Sequence, residues 1–530
     1  MNRLLEYNKA RTQLTKMEKI GQLFMPAAFI NDTEEEIEAL EQLIAEYHVG
    51  GLCFFHSRAS AATNYEGKKE VIYSEQSFQT LQKLVMRYQQ IAKHRLLIAI
   101  DAEWGLAMRI ENTPQYPYAI TLGALQGNLD LVYQVGKNIA HDCKQAGIHY
   151  NLAPVVDINN NPDNPVIGYR SFGENKTNVT EKAMKFVKGM QSEGVACSIK
   201  HFPGHGDTAV DSHLGLPVIT KSKAELLKNE LYPFIELIKH GVDSVMVGHL
   251  AVPSLSHGQH ISSSISKDVI KGMLRNDLGF KGVVISDALN MHAVSKHYPN
   301  KGELEWVAFD AGNDILCFAE HIAEGIEMIL DKASEMQLEE SFKRVWKLKE
   351  KVIAEEVEQP TGLIDPNKLN GLIAKASITL THGSKECFED CRKNGFVGIT
   401  NNSKIDNPFF NKIKESIAFR SYYLSSATST SINTEIEKEE HIILALFPPQ
   451  VKPTNNFGFT VAEIQMVNEL IASKNVVIYL FGNPYALRIF DYQNALAVVM
   501  AYQDFKEFQE VAAAQFLDRH TAKGKLAVVL

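Results

Sequence analysis

This chain predicts an α/β fold, a (β/α)8 TIM-like barrel followed by a smaller α/β sandwich domain, and three observations carry that expectation. Eight short apolar, β-rich runs alternate with helical patterns between residues 21 and 318. Polar and charged residues gather at the C-terminal ends of those runs. A second set of apolar runs follows a charged helical stretch and a proline- and glycine-bearing connection.

The eight runs are GQLFMPAA (21–28), GGLCFF (50–55), LLIAID (96–101), IHYNLAPVVDI (148–158), VACSIKHF (195–202), SVMVGHLA (244–251), GVVISDAL (282–289) and NDILCF (313–318). They are nearly continuous in apolar residues rather than alternating, which is the pattern of parallel strands covered on both faces. Eight strand–helix units are the number that closes a barrel, and such barrels carry their sites where the strands end. Asp101, Asp157, Lys200, His201, His249 and Asp287 all fall at those ends.

The charged stretch EESFKRVWKLKEKVIAEEVE (339–358) reads as a closing helix, so the barrel domain is expected over 1–358. QPTGLIDPNKLN (359–370) reads as a linker. The second domain is expected over 371–530, with strands at SITLTH (377–382), GFVGIT (395–400), HIILALF (441–447), NVVIYLF (475–481), ALAVVMAY (495–502) and KLAVVL (525–530). Residues 425–440 and 448–456 read as loops.

The net charge of −9 across 530 residues argues against nucleic acid as the main partner, because phosphate binding wants a basic surface. The N-terminus has no signal-type apolar core, and no run approaches the roughly 20 apolar residues of a membrane span. A cytoplasmic protein with no membrane partner is the expectation. Six cysteines, Cys53, Cys143, Cys197, Cys317, Cys387 and Cys391, lie mostly in apolar runs and read as buried free thiols. The C-x3-C pair at 387 and 391 lacks a second pair at zinc-finger spacing. Nothing sets an oligomeric state, and no phosphate-binding glycine motif is present.

The stretch KHFPGHGDTAVDSH (200–213) concentrates Lys200, His201, His205, Asp207, Asp211 and His213. Three readings compete. These are acceptable metal-ligand types, although the first strand carries no ligand and the loop's Pro and Gly suit backbone turns. They also suit a polar loop bonded only to its own backbone. An acid–base device is the third: Asp211, two residues before His213, can hold one imidazole nitrogen and leave the other for proton transfer. Asp287, ending an apolar strand, supplies a carboxylate that suits a nucleophile, a metal ligand or a helix cap.

LTKMEKIGQLFM, DAEWGLAMR, VIGYRSFG, KHFPGHGDTAVDSH and GFKGVVISDALNM together resemble glycoside hydrolase family 3, in its β-N-acetylglucosaminidase branch of cell-wall-recycling type. The motifs run from about residue 14 to 350, and the second domain resembles that of two-domain members. The resemblance implies a metal-free, cofactor-free, retaining exo-β-N-acetylglucosaminidase acting on small glycans such as muropeptide fragments. It implies Asp287 as nucleophile, His213 as acid–base and Asp211 as its orienting partner, with Asp101, Arg109, Arg170, Lys200 and His201 binding the sugar. Where the family commonly has D-x-E-G-G-x-V-x-R, this chain carries Trp104, Leu106 and Ala107 inside the motif. The alternatives are a β-N-acetylglucosaminide phosphorylase or β-glucosidase on the same site, and a metal-dependent barrel hydrolase.

Overall fold

The structure is a computed structural model that describes residues 4–57, 73–208, 215–353, 362–402, 405–425, 436 and 438–530. The chain divides into two compact units. The first comprises 1–116, 132–161 and 179–363; the second comprises 117–131, 162–178 and 364–530.

In the first unit the eight apolar runs form parallel strands. The run at 21–28 gives two short strands, β1 (Phe24–Met25) and β2 (Ala27–Phe29). Then come β3 (Gly51–Phe55), β4 (Leu97–Ile100), β5 (Tyr150–Asn151), β6 (Ala196–Phe202), β7 (Ser244–Val247), β8 (Val283–Ser286) and β9 (Leu316–Cys317). Strands β2 to β8 make one sheet in sequential order. Ile285 bridges to Ile315 beside β9, and β9 pairs with β1, so the sheet closes on itself. Pro26 lacks an N–H and divides the first run: its β1 half bonds to β9 and its β2 half to β3. Every residue of β3, β4, β6, β7 and β8 is buried, as strands covered on both faces require.

Helices cover the outside, and their starts follow from local sequence. Thr33 and Glu36 form a capping box for Glu34–Tyr47, as Ser222 and Glu225 do for Lys223–Lys228. The charged stretch forms the helix Glu335–Val352, whose Trp346 is fully buried and donates from Nε1 to Leu5 O at 2.8 Å. Near the strand starts, the fully buried Asp314 accepts from Arg275 Nη2 (2.5 Å), Arg344 Nη2 (2.9 Å), Ser341 Oγ (2.8 Å) and Val284 N (2.9 Å). That knot ties β8 to the closing helix.

The second unit holds a six-stranded sheet of order β10-β15-β14-β13-β11-β12, formed by β10 (Thr379–His382), β11 (Val397–Thr400), β12 (Ser421–Tyr423), β13 (His441–Leu446), β14 (Asn475–Leu480) and β15 (Ala497–Met500). All neighbours are parallel except β10, which runs antiparallel to β15. Three details depart from the sequence reading. KLAVVL (525–530) is not a strand; Lys525 N bonds to Ala124 O and Val529 N to Glu174 Oε2 instead of to a sheet. SYY (421–423), not anticipated, takes the edge beside β11. A helix, Pro366–Ser377, begins within the stretch read as linker, with Asp365 accepting from Lys368 N and Pro366 at its first position.

The six cysteines are free thiols; Cys387 is partly exposed and the rest are buried. Among the described residues no helix is long and apolar enough to cross a membrane.

Candidate active site

Asp101 follows the last residue of β4, Lys200 and His201 lie near the end of β6, and Asp287 follows the last residue of β8. Barrel closure therefore brings them to one face from distant parts of the sequence. Lys200 is nearly fully buried and donates to Asp101 Oδ1 at 2.6 Å and to Glu103 Oε1 at 2.8 Å. Arg109 Nη2 donates to Asp101 Oδ2 at 3.1 Å, and the guanidinium sits 5.1 Å from the centre of the Phe55 ring. Arg109 Nε is buried with no hydrogen-bond partner among the described residues. Burial pushes the Asp101 carboxyl's pKa up, but Lys200 and Arg109 outweigh it and hold the group below its ordinary value.

His201 belongs to a second cluster. Its Nδ1 donates to Asp157 Oδ2 at 2.7 Å, and the same carboxylate accepts from His201 N at 3.1 and 3.2 Å and from His205 N at 2.7 Å. Asp157 is fully buried; burial raises its pKa, and His201 with these N–H donors brings it below the usual range. The bond at Nδ1 turns Nε2 of His201 away from Asp157. His205 is buried too, and desolvation, then the neighbouring His201, lower its pKa to about 4. The loop that carries it packs tightly: a Cβ at Gly206 would lie 1.8 Å from Ile158 O, so only glycine fits there.

Asp287 Oδ1 accepts from Ala288 N at 2.8 Å. Burial raises its pKa; His249, His201, the Ala288 N–H and Lys200 together lower it to about 2. Asp287 is thus a carboxylate kept ionised at the end of a strand, beside Lys200 and two imidazoles.

Asp101, Arg109, Lys200, His201 and Asp287 are the anticipated residues found at this face. Arg170 belongs to the second unit, where its Nη1 donates to Val166 O at 3.2 Å. Asp211 and His213 lie outside the described residues. Glu103 is a participant the sequence reading did not mark; Asp157 and His249, marked there only as polar ends of apolar runs, carry no assigned role in it. Among the described residues no three His, Cys, Asp or Glu side chains group to hold a metal ion.

The description of the glycosyl hydrolase family 3 N-terminal domain matches residues 15–348. The chain belongs to glycosyl hydrolase family 3. Among relatives of this family, it is 32% identical over 341 residues to beta-hexosaminidase A of Pseudoalteromonas piscicida, covering 59% of this chain and 55% of that one. It is also 32% identical over 302 residues to a beta-hexosaminidase of Tolumonas auensis, covering 56% of this chain and 83% of that one. The chain spans 53–62% of the length of the first curated relatives it matches. A family 3 beta-N-acetylglucosaminidase from Paenibacillus sp. str. FPU-7 superposes with a TM-score of 0.76 at 26% identity, over 98% of this chain and 99% of that one. A beta-glucoside phosphorylase superposes with a TM-score of 0.80 over 98% of this chain and 95% of that one; at 20% identity this is a likeness of fold.

Proposed function

We propose that this family 3 member is a retaining exo-β-N-acetylglucosaminidase that releases terminal GlcNAc from small glycans such as muropeptide fragments. The observation that carries the reading is the Asp287 carboxylate, held ionised at a barrel strand end by His249, His201 and Lys200. The relatives named beta-hexosaminidase and the Paenibacillus enzyme support the substrate class.

In this reading an Asp287 oxygen attacks the anomeric carbon as the bond to the aglycone oxygen breaks. His213, oriented by Asp211, gives that oxygen its proton. The neutral imidazole then takes a proton from water, which attacks the anomeric carbon and frees Asp287, so configuration is retained. Asp101, Lys200 and Arg109 bind sugar hydroxyls: the carboxylate has acceptor capacity beyond its two ion pairs, and Arg109 has N–H groups beyond the one given to Asp101.

The test is incubation with a 5-fluoro N-acetylglucosaminyl fluoride, followed by mass spectrometry of peptides. One glycosyl adduct on Asp287 is expected. Labelling elsewhere, or potent inhibition by a thiazoline mimic of acetamide participation, would overturn the reading. Exhaustive chelation should leave activity intact; its loss would favour the metal-dependent alternative.

A further inference from the structure

We propose that His249 is a positioning residue for Asp287, gripping the turn behind the carboxylate through hydrogen bonds at both ring nitrogens; this rests on the reading of Asp287 as the nucleophile. His249 lies two residues past β7 and is fully buried. Its Nε2 is 2.8 Å from Ala288 O. A carbonyl only accepts, so Nε2 bears a proton and donates it. Its Nδ1 is 2.7 Å from Ser264 Oγ, which is 2.9 Å from Ser262 Oγ. Asn313 Nδ2 in turn donates to Ser264 O at 2.8 Å, so the serine segment is itself anchored.

The target of the Nε2 bond gives the arrangement its meaning. Ala288 directly follows Asp287 and presents its N–H to Asp287 Oδ1 at 2.8 Å. Both polar atoms of residue 288 are therefore committed, the N–H to the carboxylate and the C=O to His249. The backbone on either side is stitched as well: Asp287 N donates to Val247 O and Leu289 N to Cys317 O, each at 3.0 Å. Without the imidazole, the Ala288 carbonyl loses its side-chain donor and the turn can rotate. The N–H that aims the carboxylate rotates with it. A histidine that merely filled the core would not direct its donor to the residue beside the nucleophile. A sub-ångström error in nucleophile placement is costly in rate, while sugar binding, which falls to other side chains, is little changed.

The experiment separates those two quantities. Inactivation by the 5-fluoro N-acetylglucosaminyl fluoride is measured across concentrations, giving a limiting labelling rate and a binding constant for each variant. His249→Ala should slow limiting labelling of Asp287 by 10- to 100-fold and leave the binding constant within about twofold. His249→Gln, whose side-chain amide can donate to Ala288 O, should recover at least a third of the wild-type rate. Ser264→Ala, which removes the Nδ1 partner together with the bond to Ser262 and leaves the imidazole in place, should slow labelling about threefold or more, and it carries the test if His249→Ala does not fold. A wild-type labelling rate in His249→Ala or Ser264→Ala, or a Gln variant no faster than Ala, would overturn the proposal. Wild-type protein that labels at another residue would instead remove the reading of Asp287, and this inference with it.

Discussion

Replacing Asp287 by Asn removes one negative charge and almost no volume, so it isolates what the groups around the carboxylate contribute. The carboxyl's pKa is lowered from 3.8 to about 2, because His249, His201, the Ala288 N–H and Lys200 outweigh the effect of burial. That drop corresponds to roughly 2 kcal/mol favouring the ionised form in the folded state. The side chain is partly exposed, and solvent screening brings the expected figure to about 1–2 kcal/mol. The sign follows from linkage. A carboxyl whose folded pKa is depressed stabilises the fold above its unfolded pKa, and loses that contribution as pH falls through the folded value. Wild type should therefore exceed Asp287→Asn by about 1–2 kcal/mol at pH 7 and pH 5, and roughly half of that gap should be gone by pH 3. Urea unfolding followed by tryptophan fluorescence suits the measurement, because the chain's 3 tryptophans, Trp104, Trp306 and Trp346, all lie in the barrel unit. A variant as stable as wild type at neutral pH, or a gap that does not change with pH, would show that these groups do not hold the carboxylate as described.

The remaining predictions concern other parts of the same unit. Asp314→Ala should cost about 3–5 kcal/mol in the same unfolding assay, because it leaves Arg275 and Arg344 without the buried carboxylate they share; a loss below 1 kcal/mol would contradict this. Asp157→Asn should destabilise by about 1.5–3 kcal/mol and lower kcat/KM, since the His201 Nδ1–H loses a charged acceptor; an unchanged melting temperature would contradict it. His213→Ala should slow cleavage of an unactivated disaccharide far more than that of an aryl glycoside with an acidic phenol. Azide should then accelerate turnover of the aryl substrate and yield a β-glycosyl azide, because a small anion needs no general base; near wild-type turnover on the disaccharide would dismiss the acid–base assignment.

The barrel strands were legible because their signal is local: a short apolar run needs no knowledge of its partners. Strand-end polar residues were legible for the same reason, since they mark where a run stops. Assignments that depend on distant chain were not. Residues 117–131 and 162–178 group with the second unit although barrel segments flank them, and no feature of VIGYRSFG announces that Arg170 sits in such an excursion. KLAVVL has the composition of a strand, but its N–H groups bond to loops and side chains. The edge position beside β11 goes to SYY, a three-residue strand too short to stand out.

Lys200 and His201 illustrate the same limit inside the site. As neighbours in KHFPGHGDTAVDSH they read as one polar cluster. In the structure they serve different carboxylates: Lys200 reaches Asp101 and Glu103 beyond β4, and His201 reaches Asp157 beyond β5. The buried ammonium of Lys200 thereby has counter-charges of its own and the His201 Nδ1–H an acceptor of its own, so neither polar group is left desolvated and unpaired. The sequence K-H is informative only once the strand order β4-β5-β6 is known, because that order decides which carboxylate each side chain meets. His249 carries the argument one strand further. Its value at the end of β7 comes from Ala288, two residues past β8, and from Ser264, fifteen positions along the chain. Pairing along the barrel rim, between neighbouring strands for His201 and His249 and across one strand for Lys200, is what converts separate polar strand ends into one site, and it is the part that a linear reading has no means to see.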